Sequence, residues 1–328
     1  MAQIQFNADG TINFGDYTLT FTNDGFEFDG AILATEHVEA YSFQGTVSGY
    51  SSGGFPSSNI IDKFSFSADG NATDVGDLTV GRSTTAGQSS SVSGYVTGGD
   101  YNSNVIDKFS FSTDGNATDV GDLTQGRDKA AGQSNDTSGY TSGGRISTPT
   151  NVNTIDKFPF ATNANATDVG DLTQARNSVA GQSSTVSGYV SSGSYPSATD
   201  TIDKFPFATD GNATDVGNLT AGRYGSTGQS STESGYNSGG RSGAPYLNII
   251  EKFPFATDAN ATDVGDLTAA RRYGAGQSSD ASGYTSGGSY PNLNIIDKFP
   301  FSSNANATDV GDLTQARANI NGIAGQQV

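Results

Sequence analysis

The residues of this chain that could do chemistry are few in kind and repeated in place. His37 is the only histidine and there is no cysteine. A Ser-His-Asp arrangement, a multi-histidine metal site and thiol chemistry are therefore out of reach. Carboxylates are plentiful, and a suitably spaced pair of them could hydrolyse a glycosidic bond. Every Asp of note, however, returns at the same place in repeat after repeat, which marks it as scaffold. The expectation is a protein that is not an enzyme and uses no cofactor.

Calcium is the metal to weigh. The loop Asp69-Gly70-Asn71, followed by Asp74 and Asp77, places hard oxygens at spacings Ca²⁺ can use. The loop returns at Asp114/Asn116/Asp119/Asp122 and at Asp258/Asn260/Asp263/Asp266, but its first position becomes Asn163 or Asn304 elsewhere, and the place of Asp77 becomes Asn218. Asx side chains capping turns explain the same pattern with no ion, and that reading is preferred. Each "NAT" in the loop also fits the acceptor pattern for N-glycosylation. It is expected to stay bare, because "MAQIQFNADG" has neither the basic start nor the apolar run of a signal peptide.

Two further sets of polar and aromatic residues suggest binding. An Arg closes each "DVGDLT" segment, at Arg82, Arg127, Arg176, Arg223, Arg271 and Arg317. Charged hydrogen bonds to Asp62-type and Asp74-type carboxylates between repeats are the expected use, with an anion-binding ring around a channel as the alternative. The second set sits in loops that change while the rest of the repeat hardly does: "FPSSN", "DYNSN", "RISTPTNVN", "SYPSATD", "RSGAPYLN" and "SYPNLN". Phe55, Tyr101, Tyr195, Tyr246 and Tyr290 supply rings that stack on sugars, and Arg145 and Arg241 supply donors. Ligand binding and drift in unconstrained surface loops both account for this variation.

The elements that carry these residues follow from the period. "SGY" ends at Tyr50, Tyr95, Tyr140, Tyr189, Tyr236 and Tyr284, so two independent markers each occur six times. Within one unit, from Arg127 to Arg176, four short strands can be read. Small residues around Gly132 form a first strand fit for a crowded axis, and Tyr140 opens a second that ends at Gly143-Gly144. "TIDKFPF" is a third, and "DVGDLT" returns as a fourth after an Asn/Asp turn. Four strands repeated six times describe the blades of a propeller.

These units resemble the kelch repeat. Tyr precedes a Gly pair by three residues, as Tyr50 does Gly53-Gly54, and Phe64, Phe109, Phe158, Phe205, Phe253 and Phe299 match the family's aromatic third-strand position. The family's Trp is absent throughout, and the fourth unit has Ser192-Gly193 in place of the pair. The wording of the unit is also similar to a kelch-like group encoded by marine bacteriophages, cyanophages among them. That resemblance implies a virion or tail component, assembled in the host cytoplasm.

The fold expected is thus all-β: a six-bladed kelch-like β-propeller over residues 41–328, preceded by a small N-terminal β-meander over residues 1–40. The tail triplet Ala324-Gly325-Gln326 repeats the "AGQ" that opens the later blades, so the C-terminal strand is expected to complete the first blade and hide its edge. The meander, with Ile4/Phe6, Ile12/Phe14, Tyr17/Leu19/Phe21 and Phe26/Phe28 alternating with polar residues, is too small to stand alone. It is read as a docking or oligomerisation element, joining other virion proteins or a second copy. A net charge of −18 argues against nucleic acid and anionic membranes, and no stretch is long and apolar enough to insert in a bilayer. The functional expectation is a non-enzymatic virion protein, a tail fibre, decoration or host-contact component, whose loop face meets a host-surface glycan or protein. The alternatives are a cellular protein-interaction propeller and a carbohydrate-active enzyme.

Overall fold

The computed structural model describes residues 45–194 and 196–325, and before them the strands Ile4–Phe6, Thr11–Phe14, Tyr17–Thr22, Gly25–Phe28 and Ala31–Ala34. The chain divides into two compact units, Met1–Ala40 and Tyr41–Val328. In the first, the five strands lie in sequence order, each antiparallel to the next. Four of them are the alternating segments of the sequence. The fifth, Ala31–Ala34, reads "AILA" and lacks the period-two signal that would reveal it.

The second unit is a six-bladed β-propeller, each blade a four-stranded antiparallel sheet. Blade three is representative: Ala131–Ser134, Ser138–Ser142, Thr154–Pro159 and Thr167–Asp171, from the axis outwards. Blade one is built from both ends of the unit, with Asn321–Gly325 pairing beside Ser48–Ser52, Ile60–Ser65 and Thr73–Asp77. The expected closure is therefore present. Its register, however, differs from the triplet match. Gly322 lies opposite Ser51, as Gly87 lies opposite Val96, so "NGI" and not "AGQ" stands at the place of the opening triplet, three residues earlier.

Glycine at that place is required by contact. A Cβ on Gly132 would lie 2.1 Å from the carbonyl oxygen of Gly87, and one on Gly181 would lie 2.2 Å from that of Gly132. The same relation passes through Gly228, Gly276 and Gly322 and returns to Gly87. Six backbones thus meet edge to edge around the axis. The next residue ties neighbours together: Gln88, Gln133, Gln182, Gln229 and Gln277 each donate through Nε2 to the backbone carbonyl of the next blade's tyrosine, at 2.9–3.1 Å. At the seam this glutamine is replaced by Ile323, buried with Tyr50, Val96 and Phe109.

The "SGY" motif has a packing reason as well. Its glycine faces the third-strand phenylalanine, and a Cβ on Gly49 would stand 2.4 Å from the Phe64 ring. The tyrosine beside it turns to the neighbouring blade. Tyr50–Phe109, Tyr140–Phe205 and Tyr284–Phe64 have ring centroids 5.3, 5.5 and 5.5 Å apart, and the other three interfaces are alike. Such pairs contribute about 0.5–1.5 kcal/mol each beyond area burial, which is how the ring packs without Trp.

The marker arginines clasp successive blades. Arg82 reaches Asp107, Arg127 Asp156, Arg176 Asp203, Arg223 Glu251, Arg271 Asp297, and Arg317 Asp62, all with side chains no more than 3% exposed. Each carboxylate also accepts the N–H and hydroxyl of a threonine at the end of the preceding blade, as Asp107 does from Thr79 at 3.1 and 2.7 Å. The partners are the Asp62-type carboxylates alone, among the pairs described. An anion-binding arginine ring on the channel is ruled out by this burial: the guanidiniums lie inside the blade interfaces.

Candidate functional site

The site is organised by the segment that enters each blade. Two residues after each marker arginine the backbone has positive φ: Thr84 59°, Lys129 57°, Ser178 57°, Gly225 67°, Tyr273 57° and Asn319 56°. This conformation costs a non-glycine residue roughly 1–2 kcal/mol. It turns one N–H and one C=O along the circumference. Lys129 donates to Thr84, Ser178 to Lys129, Gly225 to Ser178, Tyr273 to Gly225, Asn319 to Tyr273 and Thr84 to Asn319, at 2.6–2.9 Å. Six backbone hydrogen bonds close a ring around the axis and offset the conformational cost. The side chains above it take no part in that bonding.

The variable loops join this ring at its rim. The residue just after the marker arginine exchanges backbone hydrogen bonds with the loop of its own blade: Asp128 with Arg145 at 2.9 Å both ways, and Arg272 with Ser289 at 3.1 and 2.8 Å. Tyr224 pairs with Arg241 in the same manner. Loops and entering segments therefore form one surface.

Most of the candidate residues fall into two groups on that surface. Phe55, Tyr101 and Arg145 line a cavity of about 560 Å³, together with Ser57, Asp100, Asp128, Lys129, Arg272, Tyr273 and Asn319. Arg241, Tyr246 and Tyr290 form the second group, with the two tyrosine rings stacked at 5.0 Å and the Arg241 guanidinium 5.4 Å from the Tyr246 centroid. Arg272 belongs to both, lying 5.5 Å from the Tyr246 ring and 4.7 Å from that of Tyr273. Tyr101 is 89% exposed, Tyr290 72% and Phe55 57%. Tyr195 lies outside the described residues, as does His37.

The charges of the cavity are unevenly committed. Asp128 holds Arg145 through two bonds, Nε at 3.1 Å and Nη2 at 2.6 Å, which raises the pKa of that guanidinium further. Asp100 accepts the backbone N–H of Ser83 and the hydroxyl of Thr84, both at 3.0 Å, and so fixes the turn that presents Tyr101. Lys129 and Arg272 make no ion pair among the described residues. Burial, with Arg145 and Arg272 nearby, holds the Lys129 ammonium below its usual pKa, against the pull of Asp128 and Asp100.

Lys129, Arg272, Tyr273 and Tyr224 were not singled out by the sequence, yet a signal existed. The two positions after the marker arginine read Ser-Thr, Asp-Lys, Asn-Ser, Tyr-Gly, Arg-Tyr and Ala-Asn around the ring, inside a segment that otherwise repeats.

The calcium candidates are engaged separately. Asp69 pairs with Lys298 at 2.9 Å, Asn71 accepts the Asp312 N–H at 3.0 Å, and Asp74 caps its own turn at the Gly76 N–H at 3.2 Å. The Asp77 N–H is held by Asn116 at 3.0 Å. The asparagine of each "NAT" therefore stitches one blade to the next. Where the first loop position is Asn163 or Asn304, the Lys–Asp pair is missing among the described residues and the turn persists. No group of three or more His, Asp or Glu residues able to hold a metal occurs among the described residues.

No protein-family model matches the chain, and no curated protein matches it.

Proposed function

We propose that the protein is a non-enzymatic virion component of the kelch-like phage type, a tail fibre, decoration or host-contact protein, whose loop face recognises a host-surface glycan. One observation carries this reading. Variable residues from the loops of three blades and from the entering segments line a cavity of about 560 Å³ that carries the exposed rings of Phe55 and Tyr101. Pockets of about 300–1,000 Å³ suit small ligands and short oligosaccharides. Residues 1–40 serve attachment, to other virion proteins or to a second copy.

The experiment has two arms. Mass spectrometry of purified particles is expected to find the chain, and deletion of residues 1–36 is expected to leave a folded propeller that no longer incorporates. A glycan array is expected to give hits that are lost in a Phe55→Ala, Tyr101→Ala double variant. Absence from particles overturns the virion placement in favour of a cellular interaction propeller. An array without hits overturns the glycan reading.

A further inference from the structure

We infer that the cavity at the mouth of the ring is a subsite for a saccharide bearing a single carboxylate, held between Lys129 and Arg272. The inference rests on the glycan reading above and gives the ligand its charge.

The lining carries three cations, Lys129, Arg145 and Arg272, and two carboxylates, Asp100 and Asp128, a net of +1. The chain as a whole carries −18. Arg145 is committed to Asp128, and Asp100 to Ser83 and Thr84, so the uncommitted charge belongs to Lys129 and Arg272. Arg272 is set in place by aromatic rings: Tyr273 at 4.7 Å, Tyr246 at 5.5 Å and Tyr224 at 5.7 Å, with Nη1 donating to the Tyr224 hydroxyl at 3.3 Å. Its Nε is buried and has no hydrogen-bond partner. Beside Lys129 in the same lining, that guanidinium gives an anion a second cationic partner. Burial first, and then the Arg145 and Arg272 guanidiniums beside it, lower the pKa of the Lys129 ammonium, which an anion in the cavity would stabilise.

A sugar is favoured over an acidic peptide for two reasons. The surrounding field of an acidic protein repels a polyanion, whereas one carboxylate matches a local net of +1. The exposed rings of Phe55 and Tyr101 offer flat apolar faces that suit the C–H face of a pyranose.

The full chain is titrated calorimetrically with a glucuronyl-glucose disaccharide, with the neutral diglucose of the same linkage, and with an Asp/Glu-rich peptide. The acidic sugar is expected to bind about tenfold or more tightly than the neutral one, a preference worth about 1.4 kcal/mol that weakens with salt. Lys129→Asn and Arg272→Ala should each reduce that preference. Both substitutions copy residues this ring already holds at equivalent positions, Asn319 and Ala318, so an unchanged melting temperature is expected. Equal binding of the two sugars overturns the inference and leaves the glycan reading standing. Binding of the peptide alone, or of none of the three, overturns the inference, while the array decides the glycan reading separately.

Discussion

Arg317 and Asp62 are 255 residues apart in the chain and joined in space, Nη2 to Oδ2 at 2.9 Å. The same bond links each of the other five blades to the segment entering it, but here it closes the ring. Both side chains are buried, and burial lowers the Arg317 pKa despite the attraction of Asp62. Truncating one partner strands the other charge. Asp62→Ala is expected to lower unfolding free energy by about 3–5 kcal/mol. Asp69→Ala, which breaks the exposed pair with Lys298, should cost about 1 kcal/mol or less. Equal losses in urea titrations would show that burial is not what gives the clasp its weight.

The seam gives a graded prediction. Removing residues 324–328 deletes only the ladder positions opposite Gly49 and Ser48 from the described strand. Removing 321–328 also takes Gly322 from the axis and Ile323 from its apolar cluster. The longer truncation should lower the melting temperature several times more than the shorter one. Similar shifts for both would place closure nearer residue 325 than residue 322.

At the axis, Gly132→Ala would press a methyl against the Gly87 carbonyl at 2.1 Å. Overpacking of this kind costs about 1–3 kcal/mol or more. Gly211→Ala, with nothing within 4 Å of its Cβ, should be neutral or stabilising by up to about 1 kcal/mol. Chemical denaturation of the two variants side by side checks the contrast.

Alkali should unfold the propeller at a pH above the one at which free tyrosine ionises. Burial raises the pKa of the six "SGY" tyrosines, Tyr95, Tyr140 and Tyr189 to about 12. The unfolded chain ionises near pH 10 while the folded one keeps its protons. Their contribution is therefore complete below about pH 10 and lost as pH rises through about 12. Tyrosinate absorbance should appear in two steps, the second coinciding with loss of the β-sheet circular dichroism signal. A single early step with the fold intact would contradict the burial of these rings.

Chelation tests the Asp-rich turns. Because the side chains of Asp69, Asn71 and Asp74 are engaged with protein partners, EDTA should leave the melting temperature where it was. A rise that grows with added Ca²⁺ would reveal a site by mass action.

Much of the fold was legible because each blade repeats its constraints six times. Tyr140, Phe158 and the glycines near them announce strands, turns and period together. The seam register was not legible, because Ala324-Gly325 copies the letters of the opening triplet while distance from Arg317 decides the position. For the site, aromatic loop residues such as Tyr101 stand out by type. Lys129 and Arg272 do not, since they sit beside an invariant arginine in a short segment, and only the ring conformation turns them to the surface.

The ring of residues at Thr84, Lys129, Ser178, Gly225, Tyr273 and Asn319 is closed by six main-chain hydrogen bonds. Its side chains can therefore be exchanged one blade at a time without rewriting the fold. The toll is that of a left-handed backbone, lowest for glycine and asparagine and higher for β-branched residues. Such a mouth is an adaptable lock: selection, or an engineer, can revise its chemistry by single codons while six copies of the same frame hold the geometry still.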